Sequence, residues 1–100
     1  YEKAAAQNND DAQNSLGTIY YNGEGVTKDY AKAMEWYRKA ADQGNMYGEF
    51  NIGLLYEFGC GLTKNMDKAA EWYLKAANRG YDRAIQGMER AKTKLKELGR

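Results

Sequence analysis

Apolar residues recur along the chain at helical spacing, in two kinds of stripe that alternate. The first kind has apolar residues at i, i+3 and i+4, and it occurs as Leu16, Ile19, Tyr20 and again as Ile52, Leu55, Tyr56. The second kind mixes small and aromatic residues, as Ala33, Trp36, Tyr37, Ala40, Ala41 and again as Ala69, Trp72, Tyr73, Ala76, Ala77. Both stripes are typical of amphipathic helices. The pattern therefore predicts two helices in each unit, with alanines packed against aromatic rings.

The two units are copies of one another at a spacing of 36 residues. Residues 10–45 and 46–81 align without a gap and share fifteen identities. A repeat of this length is typical of helical arrays. We therefore predict an all-α fold, a right-handed superhelix of helix-turn-helix repeats that forms a single array over residues 1–100. Residues 1–9 match the end of a unit whose start is missing, so we expect the chain to be a piece of a longer protein.

Glycines at matching positions are predicted to set the helix boundaries. Gly23 and Gly25 follow the first helix and supply the left-handed backbone of a C-terminal cap, and Gly44 ends the second helix. Gly17 lies inside the first helix, where it suggests a close approach to another helix. The second unit repeats all four glycines, as Gly53, Gly59, Gly61 and Gly80. Asp29 and Asn65 are the expected N-caps of the second helices.

The last segment departs from the repeat. Residues 81–98 begin like a third first helix, but the glycine turn is missing and a lysine-rich helix continues instead. Arrays of this kind end in a helix with a polar outer face. We therefore predict that residues 82–100 form a capping helix.

These motifs resemble the Sel-one-like repeats, which are relatives of the tetratricopeptide repeats. The resemblance is carried by Leu16-Gly-Thr-Ile-Tyr20, Gly23-Glu-Gly-Val26 and Lys32-Ala-Met-Glu-Trp-Tyr-Arg-Lys-Ala-Ala41. It implies an adaptor or scaffold module that binds other proteins, and it implies no cofactor. One branch of the family carries paired cysteines and has been linked to hydrolysis. This chain has one cysteine, which disfavours that branch.

The composition gives little support for catalysis or metal binding. There is no histidine, and Cys60 stands alone in a turn, where the first unit has Glu24. The two Gly-x-Gly motifs lack the third glycine and the preceding strand of a dinucleotide-binding loop. Glu35 and Glu71 are expected to pair with nearby lysines along the helix surface. The sequence therefore predicts no catalytic residue, cofactor or metal.

The charge balance also limits the classes of partner that are expected. Fifteen basic and fourteen acidic residues give a net charge of +1, which does not favour nucleic acid. No apolar run is long enough to span a membrane. A protein or peptide is therefore the expected partner.

By the resemblance, the first helices line the concave side of the array, so their outward stripes are the candidate binding groove. In the first unit the outward positions are Asp11, Asn14, Thr18 and Tyr21, in the second Tyr47, Phe50, Leu54 and Glu57, and in the last helix Arg83, Gln86 and Arg90. Apolar residues at exposed positions indicate a partner patch, and the arginines suit an acidic peptide. The alternative, that Tyr47 and Phe50 pack against the neighbouring helix pair, remains open here.

Two further hypotheses remain at this point. The array could be an architectural spacer between other parts of a longer protein. A severed amino end would expose apolar residues around Leu16, Ile19 and the Ala4-Ala5 pair. Such an edge predicts self-association through the amino-terminal face.

Overall fold

The computed structural model describes residues 9–99, and these form five helices without a strand. In chain order they are α1 (Asp10–Asn22), α2 (Tyr30–Asp42), α3 (Met46–Phe58), α4 (Met66–Asn78) and α5 (Asp82–Glu97). Each helix packs on the next, and α3 also touches α5. The predicted all-α repeat solenoid is confirmed. The expected helix end over residues 1–8, with Ala4 and Ala5, lies outside the described residues.

Polar side chains cap the amino ends of the first four helices. Asp29 accepts a hydrogen bond from the Lys32 amide at 3.0 Å, and Asn65 accepts one from the Lys68 amide at 3.0 Å. Asn9 and Asn45 cap α1 and α3 in the same way, at 2.9 Å each. These side chains satisfy amides that have no partner within the helix. Both predicted N-caps are therefore confirmed.

The first helices end at glycines with left-handed backbone. Gly23 has a φ of 73° and Gly59 a φ of 67°, and the amide of each donates to a carbonyl four residues earlier. Side chains with a Cβ adopt this conformation at a cost of roughly 1–2 kcal/mol. The predicted glycine turns are therefore where the spacing placed them.

Glycine inside the first helices allows a tyrosine ring to lie against the backbone. A Cβ added at Gly17 would stand 2.7 Å from the Tyr37 ring, and one at Gly53 would stand 2.6 Å from Cε1 of Tyr73. Both distances are shorter than any normal contact between carbon atoms. The predicted close approach is confirmed, and its partner in each unit is the tyrosine of the second helix.

Alanines and aromatic rings fill the space between the helices, as the sequence predicts. One buried cluster joins α2 and α3, and a second joins α3, α4 and α5. The first consists of Ala33, Tyr37, Ala41, Ile52 and Leu55. The second consists of Phe50, Ala69, Tyr73, Ala76 and Ala84. Because α3 contributes to both clusters, it lies at the centre of the stack.

The lysines expected to pair with Glu35 and Glu71 lie over aromatic rings instead. Lys39 Nζ is 4.4 Å from the centroid of the Trp36 ring, and Lys75 Nζ is 4.4 Å from that of Trp72. Lys32 and Lys68 cover Tyr20 and Tyr56 in the same way. A half-buried ring attracts a cation by its negative face while the ammonium group stays in water. The expected lysine–glutamate pairing is therefore corrected to lysine–aromatic contacts.

Leu16 differs from the expectation for the amino-terminal face. The side chain is buried and packs with Ile19, Tyr20 and Trp36. Leu16 therefore does not contribute to an exposed apolar edge. Self-association through this face stays a prediction.

Candidate functional site

A shallow groove runs between the first helices of the two units, α1 and α3. Asn51 on α3 donates its side-chain amide to the side-chain carbonyl of Asn14 on α1, at 2.9 Å. Beside this pair is a pocket of about 170 Å³. Its lining consists of Thr18, Tyr21, Asn22, Tyr37, Asn51 and Leu54. We call this pocket, with the Asn14–Asn51 pair, the α1–α3 groove.

Tyr37 supplies the polar side of the pocket: its ring is buried and its side chain lines the pocket. The Tyr37 hydroxyl and the Thr18 hydroxyl are 3.0 Å apart. Burial raises the pKa of Tyr37 to about 12, so this hydroxyl stays neutral at physiological pH. The α1–α3 groove therefore offers neutral hydrogen-bonding groups next to the apolar side chain of Leu54.

The structure brings together four of the predicted groove residues and separates the others. Asn14, Thr18, Tyr21 and Leu54 meet in the α1–α3 groove. Tyr47 lies at the other end of α3, with its ring edge-on to Tyr81 at 4.9 Å between centroids. The predicted stripe is therefore not one continuous open surface.

Phe50 and Glu57 are corrections to the predicted outward stripe, because both are only 6% exposed. The Phe50 ring packs against Tyr73 and Tyr81, at 5.5 and 5.1 Å between centroids. Arg83 lies over the same Phe50 ring. For Phe50, the interpretation as helix packing is thus the correct one. The physical reason is that α5 packs on this side of α3 and covers positions that the spacing alone leaves open.

Arg90 was expected to face an acidic partner, and it is bound to an acidic residue of its own chain. Its Nε donates to Oε2 of Glu57 and its Nη2 donates to Oε1, both at 3.0 Å. The Tyr73 hydroxyl donates to the same Oε1 at 2.5 Å. These three bonds join α3, α4 and α5 at one buried carboxylate. Gln86 lies one turn before Arg90 and is exposed.

These partners set the ionisation of the network. Burial alone would raise the pKa of Glu57, but the hydrogen bonds from Arg90 and Tyr73 and the charges of Arg90 and Lys64 outweigh it. The pKa of Glu57 therefore lies below its ordinary value. Burial and the bond to Glu57 raise the pKa of Tyr73, which keeps its proton. The network thus holds a carboxylate, a guanidinium and a neutral phenol at neutral pH.

This lowered pKa makes the folded state sensitive to acid. A carboxyl whose pKa is lower in the folded chain stabilises it above the ordinary value of 4.5, and that contribution is lost as the pH falls through the folded pKa. We expect the wild type to be more stable than Glu57→Gln at about pH 7, with the difference shrinking toward about pH 3. Urea unfolding at a series of pH values measures this. A difference that stays constant with pH would contradict the assignment.

The helical spacing missed Asn51 and the Tyr37 hydroxyl. Asn51 lies one turn before Leu54, so its side chain falls beside the predicted stripe. The same position in the first unit is Ser15, and no repeat signal marks it. The Tyr37 hydroxyl was missed because a repeated aromatic residue predicts core packing, and its ring is indeed buried.

Residues 9–99 contain neither a cluster of metal ligands nor a membrane-spanning helix. In this part of the chain no three acidic or cysteine side chains are placed to hold a metal ion. None of its helices is long and apolar enough to cross a membrane.

The repeat geometry agrees with comparisons to known proteins. The family model described as Sel1 repeat matches residues 1–9, 10–45 and 47–81. The chain belongs to the Sel1 repeat family. Such helical repeat modules typically serve protein interaction. No curated protein sequence matches the chain.

Solved structures of Sel1 repeat proteins share the fold. A Sel1 repeat protein from Oxalobacter formigenes is 46% identical with a TM-score of 0.80, over 84% of this chain and 35% of that one. The c5321 protein, described as a protective antigen in uropathogenic Escherichia coli strains, is 38% identical with a TM-score of 0.90, over 94% and 20%. Helicobacter pylori cysteine rich protein B is 32% identical with a TM-score of 0.79, over 85% and 64%. This chain thus spans about a third and a fifth of the first two.

Proposed function

We propose that this chain is a protein-interaction module that binds an extended segment of a partner protein in the α1–α3 groove. The observation that carries the proposal is the pocket of about 170 Å³ beside the Asn14–Asn51 pair. A cavity of roughly 150 Å³ holds a benzene-sized group, so the pocket suits one leucine or phenylalanine side chain.

The amide pair suits the backbone of the same segment. Each asparagine side chain has two donor protons and one acceptor oxygen. The bond between them uses one donor of Asn51 and one acceptor site of Asn14. This bond does not use the amino group of Asn14 or the side-chain carbonyl of Asn51. They match the carbonyl and amide of one peptide unit, which supports a segment that lies extended across both helices.

A selection from random peptides displayed on phage tests this proposal. The immobilised wild type is compared with the double variant Asn51→Ala, Leu54→Gln, which removes one amide and the apolar wall. Arg38→Ala is the control. Arg38 is on α2 and lies over the Trp72 ring of α4, and neither residue lines the pocket. We expect peptides with a large apolar residue to be enriched on the wild type and the control and lost from the double variant.

Two outcomes would contradict the proposal. Peptides that bind the folded double variant as well as the wild type would place binding elsewhere. A selection that enriches no peptide on any form would favour the architectural spacer. Circular dichroism on all three proteins establishes that each is helical.

A further inference from the structure

The Thr18 hydroxyl makes two hydrogen bonds in the α1–α3 groove, and together they fix the direction of each. Oγ1 of Thr18 lies 3.2 Å from the backbone carbonyl of Asn14 and 3.0 Å from the Tyr37 hydroxyl. A carbonyl only accepts, so Thr18 gives its one proton to Asn14 and accepts the proton of Tyr37. The Tyr37 oxygen has then used its only proton and can act toward a ligand as an acceptor alone.

The second unit supplies a donor to the matching oxygen. Tyr73 lies 36 residues after Tyr37 and donates its proton to Glu57 at 2.5 Å. Burial and the bond to Glu57 raise the pKa of Tyr73, and a hydrogen-bonding contact from the Arg90 guanidinium opposes that rise. Arg90 therefore serves as a donor to the Tyr73 hydroxyl.

The first unit lacks this donor. The residue 36 positions before Arg90 is Leu54, whose side chain has no proton to donate. In the part of the chain that the structure describes, no other group donates to the Tyr37 oxygen. Because Tyr37 lines the pocket of the α1–α3 groove, a bound segment can supply the missing donor.

The charges around the two tyrosines show that this donor has to be neutral. Arg90 is balanced by the Glu57 carboxylate, with both bonds at 3.0 Å. The residue at the place of Glu57 in the first unit is Tyr21, and none of the described residues that line the pocket is charged. A cation would therefore enter without a counter-charge, which is unfavourable next to buried groups.

The volume and the lining of the pocket limit the group that carries the donor. A cavity of roughly 150 Å³ holds one benzene-sized ring, and this pocket has about 170 Å³. A single ring with one further oxygen therefore fits, whereas the fused rings of an indole need more space. Leu54 supplies an apolar wall for such a ring. A phenol combines the single ring with a neutral donor.

We propose that the α1–α3 groove binds a tyrosine of the partner segment in preference to other residues, with the tyrosine hydroxyl donating a hydrogen bond to the Tyr37 oxygen. The ring of the bound tyrosine packs on Leu54. Phenylalanine and leucine fill the same pocket more weakly, because they leave the Tyr37 oxygen without a donor. The assignment rests on the proposed function and names the residue that the groove takes up.

The test is an NMR titration of the isotope-labelled chain with three small compounds. These are p-cresol, which is the side chain of tyrosine, toluene, which is that of phenylalanine, and 4-fluorotoluene, in which fluorine replaces the hydroxyl and cannot donate. We expect saturable shifts at Thr18, Tyr37 and Leu54. We expect p-cresol to bind about threefold to tenfold more tightly than toluene, as for one neutral hydrogen bond, and 4-fluorotoluene to bind no more tightly than toluene.

Tyr37→Phe removes the acceptor and keeps the ring. We expect this variant to bind p-cresol only as tightly as toluene, with its affinity for toluene unchanged, which also establishes that the pocket is still formed. Tyr56→Phe is the control, because it loses a phenolic hydroxyl that does not line the pocket. It is expected to keep the wild-type preference for p-cresol.

Three results would overturn the tyrosine assignment. They are equal binding of p-cresol and toluene by the wild type, a preference for p-cresol that survives Tyr37→Phe, and the absence of a saturable shift with all three compounds. The peptide selection decides the proposed function separately. Peptides that bind the wild type and not the double variant, together with equal binding of p-cresol and toluene, would leave the groove as the binding site without a preference for tyrosine.

Discussion

Replacing Tyr73 by alanine is expected to destabilise the chain by about 3–5 kcal/mol, as for other buried aromatic residues. The Tyr73 side chain is fully buried and contacts α3 and α5 as well as its own helix. A domain of this size is stabilised by roughly 5–15 kcal/mol in total, so much of the stability would be lost. Urea unfolding followed by circular dichroism measures the difference.

Phenylalanine variants separate the hydroxyl of Tyr73 from its ring. Tyr73→Phe removes a donor to a charged carboxylate, whereas Tyr37→Phe removes a bond to the neutral Thr18 hydroxyl. Bonds to charged groups contribute roughly 1.5–3 kcal/mol and neutral ones about 1 kcal/mol. We therefore expect Tyr73→Phe to be the more destabilising of the two. Equal costs would show that the charge of Glu57 adds nothing to this bond.

Gly53→Ala is expected to destabilise the chain by about 2 kcal/mol, within the range for overpacked cores. At an exposed position within a helix, a change from glycine to alanine stabilises the protein by about 1 kcal/mol. A loss of stability at Gly53 would therefore show that this position is tightly packed. The new Cβ would lie 2.6 Å from Cε1 of Tyr73, and a Cβ at Gly87 would lie 2.9 Å from the same ring. The ring packs closely against both glycines, so the added methyl group would have to displace a fully buried side chain.

Gly25→Ala is the control for this substitution. Gly25 has a φ of 74°, and a Cβ there would meet nothing within 4 Å. Its cost is therefore conformational alone, roughly 1–2 kcal/mol. A Gly53→Ala variant as stable as the wild type would mean that the helices do not approach as closely as the structure has them. Thermal and urea unfolding of the three proteins decide this.

The repeat period made most of the fold predictable. A glycine, an N-cap or an aromatic residue that recurs at a fixed spacing has the same local structure in both units, because the local forces are the same. Gly23 and Gly59 end their helices alike, and Asp29 and Asn65 begin theirs alike. The prediction needed no knowledge of the neighbouring helices.

The candidate site was less predictable, since it depends on neighbours that the two units do not share. Helical spacing predicts that Phe50 and Glu57 point outward. Both are buried, because α3 packs against α5 as well as against α2 and α4. The cleft of about 490 Å³ beside Phe58 and Arg90 arises where the glycine turn of the repeat is replaced by the continuous helix α5. Among the described helices, α1 (Asp10–Asn22) has none before it, and its residues Asn14, Thr18 and Tyr21 lie at the α1–α3 groove. That these residues bind a partner stays a prediction.

One contact differs between the two units in a way that opposes incorrect pairing of their helices. The side chains of Gln13 and Gln43 are hydrogen-bonded within the first unit at 2.8 Å, and Glu49 and Arg79 occupy the same places in the second at 2.8 Å. If α3 paired with α2 in the manner of α1, the carboxylate of Glu49 would face a neutral amide in a buried position. The charged pair therefore favours the native pairing of α3 with α4 over a pairing of α3 with α2 in the manner of α1. Similar repeats are prone to swapped pairings during folding. The buried carboxylate without its arginine partner raises the free energy of the swapped form.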